Sequence, residues 1–173
     1  MLAAGGEAII RRMKKMIRIS LTDQSLVLLD ENGNLERRYP VSTAANGAGE
    51  ANGSYCTPRG KHVIRAKIGA GEAENTVFVR RRPTGETYTP ALGAQFPQRD
   101  WILTRILWLS GCEVGYNRLG ECDTMRRFIY IHGSPDEVAM GEPGSHGCIR
   151  MKNVDMVDLF ERVTAGTLVE ITE

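Results

Sequence analysis

Apolar and polar residues alternate strictly over Ile17-Arg18-Ile19-Ser20-Leu21, the period of a half-buried strand. A turn at Asp23-Gln24 leads into a second apolar run, Leu26–Leu29. Glu31-Asn32-Gly33-Asn34 follows, where Asn-Gly readily supplies the positive φ of a tight hairpin, and Leu35–Ser42 completes a three-strand meander. Lys61–Ile68 and Asn75–Val79 read as further strands, with His62 an ordinary strand residue, and Thr167–Ile171 as the last. Trp101–Leu109 is apolar at nearly every position except Thr104 and Arg105, which suits a central strand buried on both faces. Arg126–His132 reads as a strand that delivers a histidine at its end. The period changes to that of a helix at Val154, Val157, Phe160 and Val163, with Met156 and Leu159 alongside, Asn153 as N-cap and Gly166 beyond the end.

Between these elements lie Gly/Ala/Asn-rich residues 44–55, a loop over 83–100 with three prolines, and a loop over 111–123. The proline-rich loop is the natural place for a substrate wall or lid. Arg80-Arg81-Arg82, just before it, reads as a solvated edge that would attract carboxylates if it lay near a cleft. Around eight strands and one helix, with no βαβ rhythm, predict a mainly β chain with one helix near the C-terminus. Residues 16–173 read as one domain, preceded by a leader over 1–15 that is either disordered or a short helix with Ile9, Ile10, Met13 and Met16 on one side.

Composition narrows the function. A net charge of +1 argues against nucleic acid as the main partner, and no apolar run reaches the ~18 residues of a membrane span. The apolar segment Leu2–Ile10 precedes the basic cluster Arg11–Lys15, the reverse of a signal peptide, and Glu7 interrupts it. The expected compartment is therefore the cytoplasm, or the periplasm and cell envelope if an export signal is missing. The four cysteines have irregular spacings and no CxxC, so free thiols are expected, with Cys112–Cys122 pairing the alternative after export.

Two of the three histidines sit beside one cysteine. Gly141–Met151 reads G-E-P-G-S-H-G-C-I-R-M, and Ile129-Tyr130-Ile131-His132-Gly133 lies just upstream. A thiol attacks as the thiolate, and a nearby imidazole is the usual means of making it. Glycines beside Cys148 expose backbone N–H groups to a developing oxyanion. This pattern resembles the L,D-transpeptidase catalytic domain (YkuD) family, whose signature is an early His-Gly followed by Ser/Thr-His-Gly-Cys. Here these are His132-Gly133 and Ser145-His146-Gly147-Cys148, with Thr57-Pro58-Arg59-Gly60 like the family's Thr-Pro-x-Gly turn. Some members carry Asn two residues after the cysteine; this chain has Arg150.

The resemblance implies a barrel-like or sandwich β fold and a cysteine acyltransferase acting on peptidoglycan stem peptides or muropeptides. Cys148 is the expected nucleophile and His132 the base, oriented by the Gly133 carbonyl. His146 supports the site, and the N–H groups of Gly147 and Cys148 form the oxyanion hole. Ser145 and Arg150 are the expected substrate contacts, Arg150 as a fork for a carboxylate; Arg105, Arg126 and Arg127 are weaker candidates for that task. No cofactor or metal is required, and carbapenem-type β-lactams are expected inhibitors. Transfer to an amine makes a transpeptidase; transfer to water makes a cytosolic L,D-carboxypeptidase trimming tetrapeptides in peptidoglycan recycling. Two readings of other classes stand beside these. A zinc metallopeptidase would use His132, His146 and Cys148 as ligands, and a non-catalytic module would only bind peptidoglycan.

Overall fold

The computed structural model describes residues 14–173. All of the expected leader except Lys14 and Lys15 lies outside the described residues. The meander forms as its alternation requires: β1 (Met16–Ser20), β2 (Ser25–Leu29) and β3 (Leu35–Pro40). They are followed by β4 (Gly60–Ile68), β5 (Thr76–Val79), β6 (Arg82–Thr87), helix α1 (Pro90–Gln95) and β7 (Ile102–Gly111). The chain closes with β8 (Tyr130–Ser134), β9 (Ile149–Lys152), helix α2 (Asn153–Arg162) and β10 (Leu168–Thr172).

The strands form one curled sheet in the order β3-β2-β1-β10-β4-β7-β5-β6, with β8 paired to β7 and β9 paired to β8. Strand β10 lies between β1, which it joins in parallel, and β4, which it joins antiparallel. Strand β7 pairs with β4, β5 and β8 and is buried at seven of its ten positions, which accounts for its nearly continuous apolar run. The main core joins Ile17, Ile19, Leu26 and Leu28 of the meander to Ile131, Ile149, Val169 and Ile171. Met156, Leu159 and Phe160 of α2 close it, each worth ~1.5–3 kcal/mol for full burial. The helix ends on Lys67, whose Nζ donates to the Phe160 carbonyl (2.5 Å) and the Val163 carbonyl (2.7 Å).

Three expectations change. The loop over 83–100 contains most of β6 and all of α1, elements that show no sequence period because they have almost no buried face. The strand expected over 126–132 begins only at Tyr130, after a turn with Phe128 at φ +56°. Asn153 is not the N-cap of α2. Lys152 holds that place without a side-chain bond, and Asn153 is the first helical residue, fully buried.

Two irregularities shape the site. The two-residue loop between β5 and β6 is Arg80-Arg81, at φ +48° and +64°. A hairpin of this length favours Asn-Gly there, because other L-residues in the left-handed region cost roughly 1–2 kcal/mol each. On β7, Leu103 pairs with Gly133 but Ile106 pairs with His132, so Thr104 and Arg105 bulge opposite the His-Gly step.

Candidate active site

The parallel pair β8–β9 sets the frame. Ile131 lies opposite Ile149 and His132 opposite Arg150, so Cys148 enters β9 beside Tyr130. The Tyr130 N–H donates to Cys148 Sγ (3.3 Å), and the thiol donates to the Phe128 carbonyl (3.4 Å). Side chains brace the turn before the cysteine. Ser145 Oγ donates to the Cys148 carbonyl (2.5 Å) and accepts the Gly147 N–H (3.2 Å); Thr57 Oγ1 donates to the Gly147 carbonyl (2.9 Å). Gly147 stands at φ +129°, and a Cβ there would lie 3.2 Å from the Cys56 carbonyl oxygen, so the turn requires glycine.

His132 is fully buried. Its Nδ1 lies 2.7 Å from the Gly133 carbonyl oxygen, and since a carbonyl only accepts, Nδ1 carries the proton. Nε2 is buried without a hydrogen-bond partner, so its lone pair is unused. Gly133 is itself held fast: a Cβ on it would meet Asn153 Oδ1 at 2.5 Å and the Leu103 carbonyl oxygen at 2.7 Å. Behind it Thr104 Oγ1 donates to Asn153 Oδ1 (2.6 Å) and accepts the Asn75 N–H (3.0 Å), while Asn153 Nδ2 donates to Asn75 Oδ1 (3.0 Å). The bulge at Thr104 turns this hydroxyl toward α2. Sequence reasoning missed the brace, whose members are 29 to 78 positions apart.

Burial pushes His132 down and pushes the Cys148 thiol up to about 12. Asp100 raises and Arg150 lowers both groups, each less than burial does for its own. Burial thus disfavours the charged form of both groups.

Cys148 opens onto a cleft of about 460 Å³ whose wall includes Arg80, Arg81, Asp100, Phe128, His146 and Arg150. Arg150, the expected carboxylate fork, bonds through Nη2 to Asp100 (2.9 Å) and through Nη1 to the Gly144 carbonyl (3.0 Å). Ser145, the other expected substrate contact, has its hydroxyl engaged inside the turn. Arg127 donates to the carbonyls of Gly49, Glu50 and Cys56. Arg105 is buried, with Nη1 on the Glu72 and Thr104 carbonyls, and Arg126 is exposed. His146 is exposed, edge-on to Tyr55 at 6.1 Å. Of the two expected oxyanion donors, the Gly147 N–H is taken by Ser145, whereas the Cys148 N–H has no protein acceptor among the described residues. Among these residues no group of three or more His, Cys, Asp or Glu side chains is arranged to hold a metal, and all four cysteines are free. Nor, among them, is any helix long and apolar enough to cross a membrane.

A curled β sheet that sets a glycine-flanked cysteine beside a buried histidine strand defines the L,D-transpeptidase-like class of domain. The chain belongs to the L,D-transpeptidase catalytic domain family, YkuD, whose model matches residues 14–171. It is 30% identical over 152 residues to a putative L,D-transpeptidase, YqjB, of Bacillus subtilis, covering 88% of this chain and 67% of that one. It is also 30% identical to a probable L,D-transpeptidase, YbiS, of Escherichia coli, where it spans only 41% of the relative's length. L,D-transpeptidase 3 of Mycobacterium tuberculosis shares the fold, with a TM-score of 0.57 at 16% identity over 92% of this chain and 61% of that one. That protein has also been solved with a faropenem-derived adduct.

Proposed function

We propose that the protein is a cysteine acyltransferase acting on peptidoglycan stem tetrapeptides. The observation that carries this reading is the half-bonded His132. Nδ1 is fixed on the Gly133 carbonyl and Nε2 is free, on the strand whose Tyr130 N–H holds the Cys148 sulfur. In the first step the Cys148 proton passes to His132 Nε2 as sulfur attacks the carbonyl between the third residue and D-Ala. The oxyanion is met by the Cys148 N–H. His132 then returns the proton to the leaving amine, D-Ala departs, and a thioester remains on Cys148. An amine gives a cross-link; water gives a tripeptide.

Incubation with a tetrapeptide and with a tetrapeptide muropeptide, read by mass, tests the reading. The expected products are D-Ala with either a dimer joined through third residues or a tripeptide, and their ratio separates transpeptidase from carboxypeptidase. A carbapenem should leave one drug mass on the peptide containing Cys148. Cys148→Ala should lose both signals while keeping its fold. Turnover that survives this substitution but not a chelator would overturn the acyl-enzyme in favour of a metal.

A further inference from the structure

The charge on the cleft wall is uneven. Arg80, Arg81, Arg127 and Arg150 line it, against the single acid Asp100 among the described residues. Asp100 counters Arg150, and Arg127 is bound to backbone carbonyls. Neither Arg80 nor Arg81 has an acidic partner among the described residues, and these two form the left-handed hairpin loop between β5 and β6. That loop holds arginines at the two positions where Asn-Gly is the low-strain choice, and strain of this kind points to a task.

The Arg81 side chain is pre-set. Its Nη1 donates to Tyr130 Oη (2.9 Å), and its guanidinium lies 4.5 Å from the Trp108 ring centre and 5.1 Å from that of Phe128. Tyr130 is also the residue whose N–H holds the Cys148 sulfur. The hairpin tip is thus tied to the strand that carries the reacting atoms. A planar, oriented guanidinium with N–H groups to spare suits a carboxylate.

We infer that the Arg80-Arg81 loop is the carboxylate-binding element of the acyl-donor site, a part the sequence pattern assigns to Arg150. This rests on the acyl-transfer reading above. The carboxylate belongs either to the side chain of the third stem residue or to the C-terminus of the leaving residue, and selective amidation tells the two apart.

The test compares wild type with Arg80→Asn and with the double variant Arg80→Asn/Arg81→Gly, both of which suit a positive φ. Donor tetrapeptides are used acidic, amidated at the third side chain, or amidated at the C-terminus. Wild type should lose about 10- to 100-fold in kcat/KM on amidation at one of these positions, the one the loop reads. The double variant should show a comparable loss on the acidic peptide, with no further loss on that amidation, and Arg80→Asn a smaller one; the melting temperature of Arg80→Asn, which keeps the Arg81 contacts, rises as strain is released. Equal kcat/KM of variants and wild type on the acidic donor would overturn the proposal and leave the acyl-transfer reading intact. A second measurement needs no turnover, so it stands if the peptides are not substrates at all. Alkylation of Cys148 by iodoacetate and by iodoacetamide depends equally on the thiolate, so the ratio of the two rates isolates the effect of the reagent's charge. Loss of the arginines should lower the iodoacetate-to-iodoacetamide ratio about threefold. An unchanged ratio would overturn the proposal on its own.

Discussion

Two histidines are fully buried in this protein, and they are buried differently. His62 on β4 has both ring nitrogens bonded, Nδ1 at 3.0 Å from the Gly60 carbonyl oxygen and Nε2 at 3.1 Å from Thr124 Oγ1. His132 on β8 has one nitrogen bonded and the other without a partner. A buried polar atom left unbonded costs ~1–3 kcal/mol, so folding alone would favour the first arrangement. The region around His62 is organised for stability. The region around His132 keeps an unsatisfied acceptor on the strand whose Tyr130 N–H holds the Cys148 sulfur, an arrangement that packing alone does not call for.

Substituting the two histidines should separate these roles most sharply. His132→Gln is expected to lower kcat/KM by ~10²–10⁴-fold with little change in urea midpoint. His62→Gln should leave activity per folded molecule intact and reduce unfolding free energy by about 1–3 kcal/mol, the net worth of two hydrogen bonds. His146→Ala, at an exposed ring, should lose less activity than His132→Gln. Peptide turnover and urea melts on the same preparations read both effects, and a larger activity loss at His62 would erase the distinction.

Acid gives a smaller effect on the same contrast. Burial holds His62 at about 4, below the ~6.5 of an exposed imidazole. The unfolded chain therefore binds the proton more readily, so the stability from this group is full above pH 6.5 and falls as pH drops toward 4. The loss is on the order of 3 kcal/mol at most. His132 is shifted the same way and adds to the slope. Melting followed between pH 7 and 4 should decline, less steeply in His62→Gln. An equal slope in wild type and variant would remove His62 from the explanation.

The smallest effect is expected at the brace behind Gly133. Asn153→Ala removes its bonds to Thr104 and Asn75 without touching the cleft. It should lower kcat by less than about 10²-fold with KM unchanged, because only the aim of the base is disturbed. A change confined to melting temperature would show the brace to be structural.

Much of this molecule was legible in the chain, and the exceptions share a cause. β1, β2, β4 and β10 each have one buried face, so period two marks them. β9 alternates as well, in Ile149-Arg150-Met151-Lys152, but follows so closely on the Gly/Pro turn that the pattern passed as part of a motif. β6 and α1 expose nearly everything and have no pattern to read. His132 and Cys148 stand out in the sequence because they sit in the short motifs His-Gly and Ser-His-Gly-Cys. Asn153 was misread as a cap, since its partners Thr104 and Asn75 come from distant turns of the chain. His62 shares a strand face with buried Ile64, so its burial was available from period two.

The place of β10 in the sheet has a consequence for the order of assembly. It is the last strand of the sheet in sequence, yet it lies between the meander of β1–β3 and the half that holds the thiol. During synthesis β1–β3 and β4 emerge early, with no direct pairing between them. Both wait, each with an open strand edge, until Leu168–Thr172 arrives. Joining partners so far apart along the chain is slow, and open edges are where nascent chains stick to one another. The ribosome thus delivers the strands around Cys148 before it delivers the strand that joins the two halves of the sheet.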